Sequence, residues 1–506
     1  MKPFRGIALD AVAPSYDVVI LGGGIGGLTC ANLLAQAGLT VLLVEQHYMI
    51  GGYCSTFRRK GYTFDAATHF YPLLGNPTTL TGKLLAAIGS RTKWVQMDPV
   101  DRFHFPDGSS FEVPADYHEY RRRLEQEFPE EREAIERFFA LVHQCYVLGV
   151  AKFFRGRSAR QIEKYLPLTL NDVLDQHFTS PRLKLLLSAD CPHWGAPPER
   201  VSFVFDSMLR VSYFLGNYYP VGGSQAFADD LAIRIEEQGG HVLMQARATA
   251  IELHNGRVDG VTVECGPPRK RRSVRIAATT VVSNTDLLQT FGNLLPASAV
   301  PEQLLADLRQ LKTSHPCFLV HIGLSGIPRE TLERIHGYYW NSWEGAECGR
   351  GSLRFKLFVP TLFEPGMAPP GKHVLIVQKL QDLDYEGITD WPAHKASVEQ
   401  FVMHELERIL PGVRDHIEVW LAASALTSHR YTLNPRGAML GWEMSPEQLA
   451  APVLDEVPPV DGLHLVGHWT RPGGGITPVM ISAQRAAADV LAAHSKSHGS
   501  LARENP

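Results

Sequence analysis

The first fifty residues alternate between short apolar runs and one stretch of helical periodicity. Residues 18–21 are uninterruptedly apolar and largely β-branched, which predicts a strand buried on both faces of a parallel sheet. Apolar residues then recur at helical spacing over 28–35, and Gly38 predicts the end of that helix. A second apolar run over 40–44 predicts another buried strand. This order predicts a βαβ unit.

A glycine cluster with the spacing G-x-G-x-x-G separates the first strand from the helix. Gly22 permits the tight turn, Gly24 lets the backbone approach a pyrophosphate, and Gly27 lets the helix pack on the strand. Glu45 ends the second strand at about the spacing expected of an acid that binds the hydroxyls of an adenosine ribose. We therefore predict a dinucleotide site rather than a βαβ unit that binds no ligand. NAD and FAD fit this site equally well.

Three later segments repeat the combination of glycine turns with strands and helices. Residues 218–264 predict a helix that starts after Gly222-Gly223, followed by strands and an Asn-Gly hairpin turn. Residues 277–286 contain a strand-like run with Asn284 after it. Residues 461–494 predict a buried strand, a glycine turn and a long helix, whose free N–H groups and positive dipole end favour negative charge.

These segments resemble the phytoene desaturase, carotenoid isomerase and retinol saturase group of the flavin amine oxidase superfamily, from about residue 17 to 494. The residues that carry the resemblance are Gly51-Gly52, Ser55 and Phe64-Asp65, the P-x-G-G at 220–223, and T-R-P-G-G-G at 470–475. The resemblance implies FAD as the cofactor. It also implies an α/β fold with a Rossmann-like FAD-binding domain, of the glutathione-reductase or amine-oxidase type, and an inserted α+β substrate domain.

The resemblance implies a set of FAD-binding residues spread over the chain. Gly475, Ile476 and Thr477 would face the pyrimidine side of the isoalloxazine. Many flavin folds have an acid after the glycine that ends the last strand, whereas His468 follows Gly467 here, which leaves the ribityl contact open. The full implied set is Gly22, Gly24, Ile25, Gly26, Gly27, Glu45, Gln46, Gly51, Gly52, Ser55, Thr68, His69, Ala248, Asn284, Gly467, Gly474, Gly475, Ile476 and Thr477.

Two insertions interrupt the cofactor segments and divide the chain. We predict a discontinuous FAD-binding domain over 16–95, 218–299 and 446–494, and a substrate domain over 96–217 and 300–445. Mobile termini are expected over 1–15 and 495–506.

Composition narrows the class of protein. The chain has 506 residues with 44% hydrophobic and 20% charged residues, which is typical of a packed globular protein. Its net charge of −4 does not indicate nucleic-acid binding. Seven scattered cysteines without C-x-x-C spacing argue against a disulfide framework or a zinc site, and favour the cytoplasm. The "HELER" at 404 lacks the second histidine of a zinc helix, so we expect no metal.

Residues 138–160 are apolar and aromatic, and then become basic at Lys152, Arg155, Arg157 and Arg160. Such a segment can lie on an anionic bilayer, although a core helix with a solvated basic end fits the pattern equally well. No run reaches the length of a spanning helix. The prediction is a cytoplasmic protein associated peripherally with a lipid surface.

The resemblance implies an FAD-dependent oxidoreductase that acts on a hydrophobic isoprenoid polyene. We favour carotenoid desaturation by hydride transfer to FAD, with reduced-flavin cis–trans isomerisation or retinol-type saturation as the alternative. Flavin amine oxidation is a more distant alternative, and a flavoprotein that only binds lipid is another. His69 and His193 are candidate proton donors or acceptors, though a structural role is the simpler interpretation of His193. Oxygen, a quinone or NAD(P) could reoxidise the flavin.

Overall fold

The computed structural model describes residues 4–67, 70–157, 160–189, 191, 195–266, 271–340, 353–380 and 383–501. The helices α1 to α15 are, in order, Ile25–Gln36, Leu80–Ala87, Tyr117–Glu127, Arg132–Gly149, Leu170–His177, Pro181–Leu187, Phe203–Phe214, Ser224–Glu237, Leu287–Gln289, Glu302–Gln310, Arg329–Ile335, Trp391–Ile409, Ala425–Thr432, Pro446–Leu449 and Ile476–Leu501. The strands β1 to β18 are Ser15–Leu21, Val41–Val44, Thr56–Arg59, Tyr62–Asp65, Trp94–Gln96, Asp101–His104, Ser110–Val113, Tyr218–Pro220, His241–Leu243, Ala246–His254, Arg257–Cys265, Arg272–Ser283, Cys317–Ser325, Gly337–Trp340, Leu353–Phe358, Lys372–Leu380, Ile417–Ala423 and Leu463–Leu465.

The first sheet has the strand order β10-β11-β12-β1-β2-β9, with β18 paired to β12. Strands β12, β1, β2 and β9 are parallel, and Val19 lies between Val281 and Leu42. The side chains of β2 are at most 2% exposed, as the apolar run predicted for a strand buried on both faces. Helix α1 packs against α8 and α15, so the sheet is covered by the elements that the glycine turns begin.

The hairpin of β10 and β11 turns at Asn255-Gly256. Both residues have a positive φ, 49° and 76°, which is the backbone that a two-residue type I′ turn requires. Strand β11 then pairs antiparallel with β12, and β12 continues into the parallel part of the sheet. The hairpin thus returns the chain to the edge where Asn284 follows β12.

The second sheet has the order β17-β13-β16-β15-β14-β6-β7, and all its pairs are antiparallel except β14 with β6. Alternate residues of β13 face opposite sides. Phe318, Val320 and Ile322 pack in a core that includes Val402 and Leu406 of α12. Cys317 and Leu319 belong to the core on the side of the first sheet. The second sheet therefore presents one face to the first sheet and to the glycine turns that follow its strands.

The α/β fold class is confirmed. The strands of the first sheet fall within 16–95, 218–299 and 446–494, except that β1 begins one residue earlier, at Ser15. Every strand of the second sheet falls within 96–217 and 300–445, and the domain division itself stays a prediction. Helix α15 continues past 494 to Leu501. In the described part of the amino-terminal segment, the Ile7 N–H donates to the Val242 carbonyl at 2.8 Å. The mobility of the termini stays a prediction.

Candidate functional site

A cavity of about 1380 Å³ runs from the glycine turns of the first sheet to the inner face of the second sheet and on to α7 and α4. Single-ligand pockets are typically about 300–1000 Å³, so this cavity has room for a dinucleotide and a second molecule. Its first part is formed by the turn after β1, by Gly51-Gly52 and by the start of α15.

The turn between β1 and α1 has the geometry of a phosphate-binding turn. Gly22 has a φ of 98°, which favours glycine, and α1 begins one residue after Gly24. The first N–H groups of a helix have no partner within it and point out of its end, here into the cavity. A Cβ added to Gly27 would lie 2.1 Å from the Gly22 carbonyl oxygen, so Gly27 serves the packing of α1 on the turn.

Glu45 connects this turn with the end of β2. One carboxylate oxygen accepts the Gly23 N–H at 2.8 Å, and the other accepts the His47 N–H at 2.7 Å. Burial raises the pKa of Glu45 from its ordinary value, while these backbone donors oppose the rise. The carboxylate lines the cavity beside Gln46 and keeps lone pairs for hydroxyl donors. This is the placement that the ribose-binding prediction requires.

The second glycine segment approaches the first one closely. The Gly51 N–H donates to the Gly23 carbonyl at 2.8 Å, and a Cβ on Gly52 would lie 3.3 Å from the Gly24 Cα. Asn284 holds the turn from the other side, because its side-chain amide donates to the Gly22 carbonyl at 3.1 Å. Backbone from two separate parts of the chain, held in place by the Asn284 side chain, therefore forms one narrow cradle.

The opposite end of the cradle is the start of α15. Gly475 has a φ of 104°, and a Cβ on Gly474 would lie 2.1 Å from the Leu440 carbonyl oxygen, so both positions require glycine. The Thr477 hydroxyl donates to the Pro72 carbonyl at 3.1 Å and fixes the first turn. The positive end of the α15 dipole faces the cavity, where it would stabilise negative charge.

His468 lines the cavity between these two ends. Burial lowers the pKa of His468 to about 4, so its imidazole is neutral at physiological pH. Its ring lies against Trp469 and Tyr53, with ring centroids 5.2 and 6.3 Å away. A neutral imidazole has one donor and one acceptor, so it can serve a ribityl hydroxyl in place of the acid that many flavin folds have here.

These observations fit FAD. Two helix amino termini and a buried carboxylate face one elongated cavity, and a side chain at Gly24 or Gly52 would fill the cradle between them. Of the implied set, the cavity is lined by Gly22, Gly24, Ile25, Gly26, Glu45, Gln46, Gly51, Gly52, Ser55, Ala248, Asn284, Gly467, Gly474, Gly475, Ile476 and Thr477. Gly27 packs behind it. Thr68, His69 and His193 lie outside the described residues, so their predicted roles stay predictions.

Sequence reasoning missed the second half of the cavity, which is the inner face of the second sheet. Strand pairing sets Leu319 beside Gln378 and Ala423, and His321 beside Leu421. The continuous apolar run of β13 hides the alternation that would have separated these residues from the core. The complete row along this face is Cys317, Leu319, His321, Gln378, Leu380, Leu421 and Ala423.

His321 connects this wall with the cradle. It is 2% exposed, and its Nε2 donates to the Asp65 carbonyl at 2.9 Å. Burial lowers the pKa of His321 to about 4, so the wall carries no charge at this position near neutral pH. The Asp65 carboxylate accepts the Ser224 N–H at 3.0 Å and the Tyr219 hydroxyl, and its burial raises its pKa to about 6.

Asp65→Asn tests this burial through the pH dependence of stability. A carboxyl whose pKa rises from 3.8 unfolded to about 6 folded stabilises the protein fully below pH 3.8 and loses that contribution as the pH rises to about 6. The shift corresponds to about 3 kcal/mol. Between pH 4 and pH 7, wild type should therefore lose up to about that amount of unfolding free energy relative to Asp65→Asn, whose amide does not titrate. Denaturant unfolding at both pH values measures it. Asp415→Asn, at an exposed position, is the control. If the difference in unfolding free energy between wild type and Asp65→Asn were the same at both pH values, the assignment would be contradicted.

The family profile described as flavin containing amine oxidoreductase matches residues 25–491. The chain belongs to this family. FAD is its cofactor, as the resemblance in sequence implied and as the cradle fits. Membership of this family also makes the chain a flavin-dependent oxidoreductase. In solved structures the fold is similar to that of putrescine oxidase, with a TM-score of 0.66 and 14% identity over 94% of this chain and 99% of that one. Cyclohexylamine oxidase from Brevibacterium oxydans has a TM-score of 0.62 and 18% identity over the same shares.

Among curated members of this family, the chain is 27% identical to prolycopene isomerase 1, chloroplastic, of an Oncidium hybrid cultivar, covering 94% of this chain and 85% of that protein. It is also 27% identical to the all-trans-retinol 13,14-reductase of Rattus norvegicus, covering 92% of this chain and 84% of that protein. These relatives match over more than nine-tenths of this chain.

Proposed function

We propose that this flavoenzyme acts on the double bonds of an isoprenoid polyene, by cis–trans isomerisation or by saturation with reduced flavin. The observation that carries the proposal is the apolar extension of the cavity beyond the FAD cradle. Its walls are Leu319, Leu380 and Leu421 on the second sheet, then Met208 on α7 and Phe154 beyond α4. A long apolar channel suits a rod-shaped hydrocarbon chain.

The residues of this channel position the substrate and exclude water. FAD supplies a hydride donor or acceptor at carbon. The second sheet presents a flat face to one side of the channel, and the start of α15 fixes the opposite end of the cradle. Phe57 lies edge-on to the neutral His321 ring at 4.9 Å, so an aromatic and a neutral group line the channel at this position. A dry, fixed arrangement of this kind favours transfer at an unactivated carbon.

The named relatives favour isomerisation or saturation over desaturation. The curated relatives reported above are an isomerase and a reductase, and both match over more than nine-tenths of this chain. Carotenoid desaturation is the second candidate, because the T-R-P-G-G-G at 470–475 resembles the corresponding segment of desaturases. The two candidates differ in one requirement, which is whether the flavin must start reduced or oxidised.

Amine oxidation fits the channel less well. A protonated amine needs a carboxylate or an aromatic cage where it binds, whereas His321 is neutral and the rest of the second-sheet wall is uncharged. Arg155 and Arg157 line the far end of the channel and would repel a cation. Release of hydrogen peroxide with small amines, and none with polyenes, would favour this alternative.

Product analysis under anaerobic conditions tests the proposal. Holoprotein is incubated with cis and all-trans polyenes, once with oxidised and once with chemically reduced flavin, and the products are separated by chromatography. We expect geometric isomers or saturated products only with reduced flavin. Products of longer conjugation with oxidised flavin would instead establish the desaturase. The absence of any product from either state, with flavin bound, would refute the polyene proposal.

A further inference from the structure

The cavity reaches the protein surface beside the end of α4. Val147 and Leu215 line the cavity and are 51% and 38% exposed, so apolar side chains continue from its interior to the outside. We call the surface around this opening the mouth. Its apolar members are Leu80, Tyr146, Val147, Val150, Phe154 and Leu215, and its cations are Lys83, Arg155 and Arg157.

The two halves of α4 expose different chemistry. Ile135, Phe138 and Val142 form a buried stripe, and α4 packs on α7. Outside this stripe the first half is mostly charged, and its exposed residues are Arg132, Glu133, Glu136, Arg137 and Ala140. After Gln144 the exposed and half-buried positions become apolar, apart from Lys152, and reach the mouth through the π-helical segment Val150–Phe154. Only the end of the helix is thus unsuited to contact with water.

This asymmetry separates surface docking from membrane spanning. Contrary to the expectation from the sequence that no run reaches the length of a spanning helix, Pro129–Phe154 is long and apolar enough to cross a membrane by length and composition, with a mean hydropathy of 1.2 over a window of 18 residues. However, 39% of that window is buried inside the protein, and the first half of α4 exposes charges that are costly in a bilayer centre. The apolar exposed part is two turns long, which suits insertion to the depth of the headgroup boundary.

Unpaired cations surround the apolar part. Within the described residues, Arg155 and Arg157 are exposed and have no carboxylate at ion-pair distance, whereas the nearby Lys152 is paired with Glu163 at 2.9 Å. Lys83 on α2 is exposed at the same opening. Apolar side chains ringed by free cations match an anionic lipid surface, with the aromatics in the acyl boundary and the cations at the headgroups.

The mouth is fixed to the cofactor domain. The Arg485 guanidinium of α15 donates to the Phe153 carbonyl at 2.5 Å, at the end of the π-helical segment. The same helix begins at the FAD cradle. The orientation of the mouth is therefore set by an element that also positions the cofactor, so docking would hold the channel in one orientation to the bilayer.

We propose that the mouth docks on a bilayer that contains anionic lipids, and that the cavity opens directly into the acyl layer. The exposed apolar residues of the mouth are continuous with the apolar channel. This favours a lipid surface over a protein partner, because a protein interface would not need a channel that opens within it. That a polyene enters through the mouth rests on the proposed function, whereas lipid docking does not.

Sedimentation with vesicles tests the docking without any substrate. Holoprotein is mixed with phosphatidylcholine vesicles that contain or lack phosphatidylglycerol. We expect binding to the anionic vesicles, and at least about a tenfold loss of partitioning in Arg155→Glu/Arg157→Glu, since each cation near such a surface contributes about 1 kcal/mol. Val147→Ser should also weaken binding, because an exposed apolar contact is lost. Arg132→Glu/Arg137→Glu makes the same charge change on the first half of α4, outside the mouth, and should bind as wild type.

Each outcome decides the docking separately from the reaction. Absence of wild-type binding, or an equal loss in the Arg132/Arg137 control, overturns the proposal and would leave the mouth to a protein partner. Turnover of polyene from vesicles should fall in Arg155→Glu/Arg157→Glu by a larger factor than turnover of polyene from detergent micelles. Vesicle binding without turnover in either system would refute the polyene function and leave the docking intact.

Discussion

Gly24→Val is expected to give folded but colourless protein. Asn284 Nδ2, at 3.1 Å, is the atom of the described residues that a Cβ on Gly24 would meet within 4 Å, and an amide end can move aside. The side chain would instead occupy the cradle between Gly24 and Gly52, where backbone must approach the pyrophosphate. Losing two charge-assisted hydrogen bonds of about 1.5–3 kcal/mol each would weaken FAD binding by about 100-fold or more.

The measurement is the flavin-to-protein ratio from the visible spectrum after gel filtration, with circular dichroism to verify folding. Gly292→Ala is the matched control, because its Cβ would have Leu305 as neighbour at 3.8 Å, an ordinary contact. Wild-type FAD content in Gly24→Val would contradict the placement of the pyrophosphate at this turn. An unfolded Gly24→Val would transfer the test to Gly24→Ala, which adds a single methyl group and must still lower the FAD content.

Ala423→Trp is expected to remove turnover while FAD stays bound. Ala423 is half-buried at the end of β17 and lines the channel beside Leu319, so an indole would extend into the space of the substrate. The FAD cradle lies on the first sheet and keeps its geometry. Since displacement of a substrate by about 1 Å can cost about 100-fold, we expect kcat/KM for a polyene to fall by about that factor or more.

Ala488→Trp, on the exposed face of α15, is the control for the size of the substitution. Steady-state assays with the substrate found by product analysis give kcat/KM for both variants, and the visible spectrum gives their flavin content. Unchanged kcat/KM in Ala423→Trp would show that the substrate does not use the second-sheet wall. Loss of flavin from Ala423→Trp would show that FAD extends to this wall.

The glycine turn and the acid that follows it could be predicted because both depend on local sequence. The turn at Gly22 and Gly24, the helix and Glu45 lie within a few tens of residues, and each has one physical reason for its residue type. The buried strands on either side read as apolar runs because both of their faces are covered. These residues predicted a dinucleotide site, whereas the family and FAD were implied by the resemblance of the later segments at 51–65, 220–223 and 470–475 and are confirmed by the family match.

The substrate wall could not be predicted because it depends on pairing between distant strands. Leu319 meets Gln378 and Ala423 only when β13, β16 and β17 come together, and its neighbours Phe318 and Val320 are equally apolar in sequence. The apolar and basic segment at 138–160 had two interpretations of equal weight. Its exposure at Val147 and the position of Arg155 at the cavity opening support the surface role, a distinction that composition does not carry.

The most direct test of the account is a titration of holoprotein with a polyene, followed through the visible band of the flavin. Because FAD and the polyene are placed in one cavity, the account predicts a saturable change of the flavin band with one polyene bound per flavin. Ala488→Trp should show the same change, and Ala423→Trp should lose it. A flavin band that stays unchanged while polyene binds, or a polyene that binds equally to Ala423→Trp, would contradict the shared cavity.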